Sequence, residues 1–297
     1  MSVYVVTAAN KSEGYYEILK ESCIRNGCEL TTLGFGEKWT GFVWKYEQLQ
    51  TFLKSVNSDD IVIFVDGFDV VMNDHIDVFL EKYKKFNKSI VLSVIYNSNT
   101  LKFIEKRVFG NVKYHGSDYF ICMGLYAGRA GDLNEMINLI DIKSDTTNDD
   151  QLITTRFIRN NPEFTKDKIA LDTEMELFTN ASQPTYKDLI LKKPETLTIS
   201  CNDGYILNSL GNRPVFVHGP GKADLKPYLA HIGYTNIPDA ESYQYFGFKH
   251  LSKLFVAGMF WYDWVVVFII LIILVLLIVI IIKTIRYNKE KNAKLSI

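Results

Sequence analysis

Five apolar residues, Ile61-Val62-Ile63-Phe64-Val65, run directly into Asp66-Gly67-Phe68-Asp69. Carboxylates at the mouth of a buried strand are costly to desolvate unless they hold something, and a hard divalent cation is the usual partner. In an open α/β sheet, ligands gather outside the carboxyl ends of the strands. Asp66 and Asp69 therefore point to a metal, and through it to a phosphate-bearing ligand. Residues i and i+3 of a strand lie on opposite faces. The two acids can share one ion if the chain turns at Gly67, which tolerates unusual backbone angles. A solvated turn closing the strand is the plain alternative, because D-x-x-D is a weak motif by itself.

Three other segments carry chemistry-bearing residues. Val217-His218-Gly219-Pro220-Gly221-Lys222 places a histidine directly after an apolar strand, where imidazole can complete a carboxylate metal site. Gly219 and Gly221 let backbone N–H groups approach phosphates, and Lys222 adds charge. An ordinary turn with an exposed histidine is the alternative. Asn148-Asp149-Asp150-Gln151 offers a carboxylate to orient or deprotonate an acceptor hydroxyl, or simply acids favoured at a helix N-terminus. Trp39 lies among Gly34, Gly36 and Gly41, as in a mobile flap that stacks on a ring, or in a loop anchored by a buried tryptophan. His75-Ile76-Asp77 has the H-x-D spacing of non-haem iron oxygenases, but it falls at a helix start, where Asp is common anyway.

The elements that must hold these groups alternate strand and helix, which predicts a mainly parallel sheet with helical crossovers. Strands are expected at 2–8, 29–33, 60–66 and 89–94. A buried strand is expected at 118–127 with Gly124 inside it, two short ones around 168–178, and one at 214–217. Helices are expected at 13–26, with Ser12 as N-cap and Gly27 as stop, at 43–55, from a cap at Asn73 or Asp74 to Phe86, at 132–142 and at 151–159.

Residues 265–282 are 18 consecutive apolar residues. At about 1.5 Å per residue they make roughly 27 Å of helix, one bilayer core. Trp261, Tyr262 and Trp264 sit at one edge like an interfacial aromatic belt. Lys283, Arg286, Lys289, Lys291 and Lys294 follow, against Glu290 alone. The last 15 residues thus carry +4, and a chain of net −1 has −5 on residues 1–282. An acidic soluble part argues against nucleic acid as a partner.

The N-terminus leads at once into a strand, so no signal peptide is expected. A C-terminal span without a leader implies a cytosolic domain, whereas the basic tail implies the opposite side by the positive-inside rule. The chain is therefore expected to be a single-pass membrane protein with the domain's side open. Asn10, Asn87 and Asn180 begin N-x-S sequons, which matter only if the domain is lumenal; Asn180 is the expected reporter of topology. Cys23, Cys28, Cys122 and Cys201 show no framework spacing and suit a reducing compartment.

Taken together and in order, these motifs resemble the glycosyltransferase domain of the procollagen lysyl hydroxylase family. The matching residues are Glu13-Gly14-Tyr15, Leu33 to Trp39, Phe64 to Val70, Asn148 to Leu152, Leu171-Asp172 and Val217 to Gly221. The resemblance covers about 2–235. It implies an α/β glycosyltransferase-A fold, a Rossmann-like mixed sheet flanked by helices. It also implies a metal-dependent hexosyltransferase that uses a UDP-sugar, Mn²⁺ and a glycan or protein acceptor. By position, Asp66, Asp69 and His218 are the implied metal ligands. Phe68 would contact uracil, Trp39 belongs to the flap, Lys45 lies near the nucleotide, and Asp149 and Asp150 face the sugar and acceptor.

The analogy suggests transfer of glucose or galactose to collagen-like hydroxylysine or its galactosyl form. Departures from the family are a shortened segment at Gly41-Phe42-Val43-Trp44, apolar Ile121-Cys122-Met123 where the family has Asn-Ser-Gly, and Pro220 in the phosphate loop, where Lys222 or Lys226 would supply the charge. They motivate the alternative of an inactive nucleotide-sugar-binding module on a membrane anchor. The expected organisation is a catalytic domain at 1–235, a connector at 236–263, a transmembrane helix at 264–283 and a basic tail at 284–297.

Overall fold

The computed structural model describes residues 1–95, 110–140, 142, 148–183, 196–220, 223–238 and 261–295. Gly221 and Lys222 lie outside the described residues, as does most of the expected connector. The chain divides into two units, Met1–Leu254 and Phe255–Ile297.

The first unit is built on a seven-stranded sheet. Its strands are β1 (Val3–Ala8), β2 (Leu30–Leu33), β3 (Ile61–Val65), β5 (Ile90–Ile95), β6 (Val112–Tyr114), β7 (Ser117–Arg129) and β8 (Ile169–Asp172). The spatial order is β2-β1-β3-β7-β5-β8, with β6 paired to β7. A three-stranded sheet joins β4 (Val70–Met72), β14 (Phe216–His218) and β9 (Phe178–Asn180). Two further ribbons pair β10 (Ser182–Gln183) with β11 (Thr196–Leu197) and β12 (Ser200–Asn202) with β13 (Tyr205–Leu207). The helices of this unit are α1 (Tyr16–Arg25), α2 (Trp44–Leu53), α3 (Ile76–Lys85), α4 (Ala130–Leu139), α5 (Asp150–Asn160), α6 (Pro162–Lys168) and α7 (Lys226–His231).

Alternation along the strands builds two cores. Val6, Val62 and Phe64 face Trp44, Leu49, Leu133 and Phe157 of α2, α4 and α5. Val5, Ile63 and Val65 face Leu19, Phe79 and Phe216 of α1, α3 and β14. Each such side chain contributes roughly 1.5–3 kcal/mol when fully buried. The mixed α/β sheet flanked by helices is therefore as expected. The parallel reading is corrected at the centre: β7 runs antiparallel to both β3 and β5, while β1, β2, β3 and β5, β8 pair in parallel. Periodicity marks a buried strand but carries no direction.

Several local expectations change for physical reasons. Helix α1 starts at Tyr16 rather than residue 13, because Gly14 (φ +55°) and Tyr15 turn to meet the Asp66–Asp69 loop. Tyr15 donates its backbone N–H to Phe68 O at 2.7 Å. The cap of α3 is His75, whose Nδ1 accepts from Asp77 N. Asn73 instead bridges Ile206 and Pro214, and Asp74 pairs with Arg213. The H-x-D pair is thus a helix start. Strands β4 and β6 and helix α6 were not legible as separate elements.

Asp172, fully buried at the end of β8, accepts backbone N–H groups from Glu176, Leu177 and Phe178 at 2.8–2.9 Å. It thereby fixes where β9 starts.

The second unit contains α8 (Trp261–Leu295). Its segment Val267–Ile285 is long and apolar enough to cross a membrane, with mean hydropathy 3.5. The helix begins before residue 264 and continues through the basic residues, so tail and span are one element up to Leu295.

Asn180 is 1% exposed, with its amide hydrogen-bonded inside the protein. It cannot carry a glycan in the folded chain, which overturns its expected use as the topology reporter. Asn87 is exposed. In a lumenal orientation, site mapping by mass spectrometry is expected to find glycan on Asn87 and none on Asn180; a modified Asn180 in folded protein would contradict this burial.

Candidate metal and nucleotide-sugar site

The site forms where β3 ends and β14 passes behind it. Asp66 follows β3 directly, and its backbone N–H donates to Gly124 O of β7 at 2.8 Å. Asp69 precedes β4, which pairs antiparallel with β14, so His218 is in register with Val70. Gly219 N donates to Asp69 O at 2.8 Å. That N–H, expected to face phosphate, is spent inside the protein.

These ladders gather three groups. The ligand atoms of Asp66, Asp69 and His218 all lie within 4.8 Å of one another. His218 Nε2 is 3.2 Å from Asp69 Oδ1 and 4.0 Å from Asp66 Oδ2. The ring is 3% exposed, and its Nε2 has no hydrogen-bond partner. An orphaned buried nitrogen facing two carboxylates matches the donor set of a divalent cation, oxygen-rich with one imidazole. Burial disfavours charge on His218, but Asp69 foremost, with Cys122, outweighs it and raises the ring's pKa well above the usual value.

Two glycines make the room, neither through left-handed backbone. A Cβ on Gly67 would lie 2.9 Å from Thr7 Oγ1 and 3.0 Å from Ala9 Cβ. Gly67 is not among the residues with positive φ. The expected special turn is therefore a close approach to the end of β1. A Cβ on Gly124 would sit 2.6 Å from His218 Cε1 and 2.7 Å from Asp66 Oδ2. The β5–β7 register shifts here, from Leu92↔Tyr126 to Ser93↔Cys122, so β7 bulges around Gly124.

Lys45 enters from the first turn of α2. Its Nζ lies 2.8 Å from Asp66 Oδ1 and 2.6 Å from Asp150 Oδ2. Asp66 thus gives one oxygen to Lys45 and turns the other toward His218. Burial opposes the Lys45 charge, but Asp150 and Asp66 outweigh it and hold the ammonium well above the ordinary lysine range. Asp150 is pushed up to about 6 by burial, with Lys45 opposing and Asp149 adding to the rise.

Asp149 Oδ1 caps α5 by accepting from Leu152 N at 2.7 Å. Asp149 thus serves as the helix cap through Oδ1, while Asp150 faces Lys45. Asn148 ties these acids to the Trp39 loop, accepting from Val43 N and donating to Thr40 O, both at 3.0 Å. Trp39 is half-buried and meets Phe42 and Trp44 edge-on at 5.7 and 5.3 Å. Phe68 packs with Ala9 and Tyr16, and Tyr16 lies 5.9 Å from the exposed Phe35.

The structure therefore brings Asp66, Asp69, His218, Lys45 and Asp150 into one chain of contacts. Two nearby groups, Tyr16 and Asn180, were not assigned to the site from sequence, and Cys122 was read there only as a departure from the family; its Sγ is 3.6 Å from His218 Nδ1, and Asn180 Oδ1 is 2.8 Å from the same nitrogen. Asn180 carried a signal, but as a sequon, which points to the surface.

The family described as the PLOD GT domain matches residues 1–237. The chain is 26% identical to the procollagen-lysine,2-oxoglutarate 5-dioxygenase of Drosophila melanogaster, over 77% of this chain and 32% of that protein. It is 23% identical to the multifunctional procollagen lysine hydroxylase and glycosyltransferase of Caenorhabditis elegans, over 77% and 31%. Against procollagen-lysine,2-oxoglutarate 5-dioxygenase 1 of Mus musculus the identity is 26%, over 78% and 32%. The chain thus spans about a third of the length of these relatives. Among solved structures, a glycosyltransferase involved in the glycosylation of the major capsid of PBCV-1 aligns at 10% identity with a TM-score of 0.39, covering 74% of this chain and 96% of that one.

Gly124→Ala is expected to abolish high-affinity divalent cation binding while leaving the circular dichroism spectrum unchanged, since the three atoms nearest the added methyl belong to His218 and Asp66. Isothermal titration with Mn²⁺ checks this; wild-type affinity in the variant would show that the cation goes elsewhere.

Proposed function

Because this chain belongs to the PLOD GT domain family, we propose that it is a metal-dependent hexosyltransferase that moves glucose or galactose from a UDP-sugar to an acceptor hydroxyl. The strongest support is the convergence of Asp66, Asp69 and the unpartnered Nε2 of buried His218. These three residues would hold Mn²⁺. A divalent cation held there would supply the positive charge that offsets the charge developing on the diphosphate leaving group.

The protein's own groups do the rest. Lys45 holds Asp66 in the orientation that presents Oδ2, and it adds a buried positive charge beside the phosphates. Asp150, on the far side of Lys45, is the acid we assign to the sugar and acceptor end. Asp149, which caps α5 through Oδ1, is assigned to the same end beside it. Phe68 and Tyr16 offer an aromatic wall for uracil at the end of β1. The Trp39 loop, pinned through Asn148, covers the nucleotide. Gly221 and Lys222 would supply the phosphate contacts that Gly219 cannot.

Collagen-like hydroxylysine, or its galactosyl form, is the acceptor we propose by analogy with the relatives. The segment 264–283 would anchor the catalytic domain, 1–235, to a membrane, with 236–263 as connector and 284–297 as basic tail.

A second reading is favoured by one observation. Ile121, Cys122 and Met123 are buried and apolar where the sugar end would want polar partners. On that reading the chain binds a nucleotide sugar without turning it over.

A donor screen on the full chain separates the two. UDP release from UDP-glucose or UDP-galactose, dependent on Mn²⁺, is expected. Binding without release across all donors would leave the binding module standing. Asp69→Ala is expected to lower turnover on the order of 10²-fold or more, the scale of losing one electrostatic group at an active centre. Unchanged UDP affinity and Mn²⁺ dependence in that variant would remove Asp69 from the metal site.

A further inference from the structure

We propose that Asn180 is a positioning residue that locks the tautomer of His218, so that Nε2 presents its lone pair to the Asp66–Asp69 site. The proposal rests on the metal reading above, but its structural basis is separate from it.

Asn180 and His218 are register partners across the parallel pair β9–β14, so their side chains leave the same face. The amide of Asn180 makes three contacts. Its Nδ2 lies 2.8 Å from Ser93 Oγ and 2.9 Å from Val94 O, and its Oδ1 lies 2.8 Å from His218 Nδ1. Exchanging the amide's oxygen and nitrogen is not an option. The Val94 carbonyl has no proton, so the atom facing it must be the NH₂ group. That leaves Oδ1 toward the imidazole. A carbonyl oxygen only accepts, so Nδ1 of His218 must carry the hydrogen.

The consequence reaches the other nitrogen. A neutral imidazole has one N–H, and with it at Nδ1 the Nε2 is bare. Nε2 is the atom that is buried, without a hydrogen-bond partner, and 3.2 Å from Asp69. Cys122 Sγ, 3.6 Å from Nδ1, can share the same hydrogen weakly but cannot donate to a nitrogen already protonated. The backbone of β5, through Val94, therefore sets the lone pair of a residue on β14. Groups that fix a ligating histidine in this way are worth about 10–100-fold in metal affinity.

Two measurements on the full chain in micelles test this. In metal-free, ¹⁵N-histidine-labelled protein, titrated upward in pH until the His218 ring has lost one of its two protons, the remaining proton is expected on Nδ1. Its signal is identified by its loss in His218→Gln. A neutral ring with its proton on Nε2 would overturn the proposal without any variant of Asn180 having to fold. In Mn²⁺ titrations, Asn180→Ala is expected to bind about 10–100-fold more weakly. Asn180→Asp, which keeps an oxygen facing Nδ1 but sets its other one against the Val94 carbonyl, is expected to recover part of that loss. Wild-type affinity in Asn180→Ala, with binding lost in His218→Ala, would also sink it. Indifference of Mn²⁺ binding to His218→Ala would instead remove the metal reading, and the nitrogen spectra would still locate the proton.

Discussion

Asp66 divides its two oxygens between the Lys45 ammonium, 2.8 Å away, and the side of the pocket that holds His218. That division is the constraint on which the rest of the site depends. Two carboxylates and an imidazole at the apolar mouth of a sheet must be compensated, because unpaired charge in a poorly solvated place costs several kcal/mol. Lys45 meets part of that demand and Asp150 meets the charge of Lys45 in turn. What remains is a half-satisfied group of Asp69, Asp66 Oδ2 and His218 Nε2, the arrangement a divalent cation would complete.

The scaffold serves this compensation with backbone rather than with more side chains. Gly124 O accepts from Asp66 N, Asp69 O accepts from Gly219 N, and Phe68 O accepts from Tyr15 N, all at 2.7–2.8 Å. The D-G-F-D loop is thus tied to β7, to the end of β14 and to the start of α1. Asp172 and Asn180 extend the same logic outward, since one sets the start of β9 and the other carries β9 and β5 into contact with His218. A loop so restrained holds its acids with little freedom left to lose when a ligand arrives, which is how preorganisation raises affinity.

Much of the fold was legible because it follows from local patterns. The strands at β1, β2, β3, β5 and β7 and the helices α2 and α5 lie within a few residues of their expected places, since alternation and the 3.6-residue period are written into the chain. The start of α1 and the cap of α3 were not, because distant segments reassign the local polar groups: Asp74 is taken by Arg213 and Asn73 by Ile206. The direction of β7 was illegible for a similar reason, as burial on both faces erases the pattern that distinguishes parallel from antiparallel neighbours. Asn180 shows the limit most sharply. Its tripeptide suggests a surface site, while its register opposite His218 places it in the interior.

By itself, the sequence determined which residue types sit where strands end: Asp66 and Asp69 after β3, His218 at the close of β14, Asp149 and Asp150 where α5 begins, and an apolar run long enough to span a bilayer. Spacing along one segment is enough for that. Only the tertiary structure decided which of these groups meet. It paired Lys45 with both Asp66 and Asp150, spent the Gly219 N–H within the protein, and set Asn180 behind His218. The physical reason is that hydrogen bonds and ion pairs act over about 3 Å, whereas the partners here are separated by tens of residues in the chain and are brought within that distance only by the order and direction of strands.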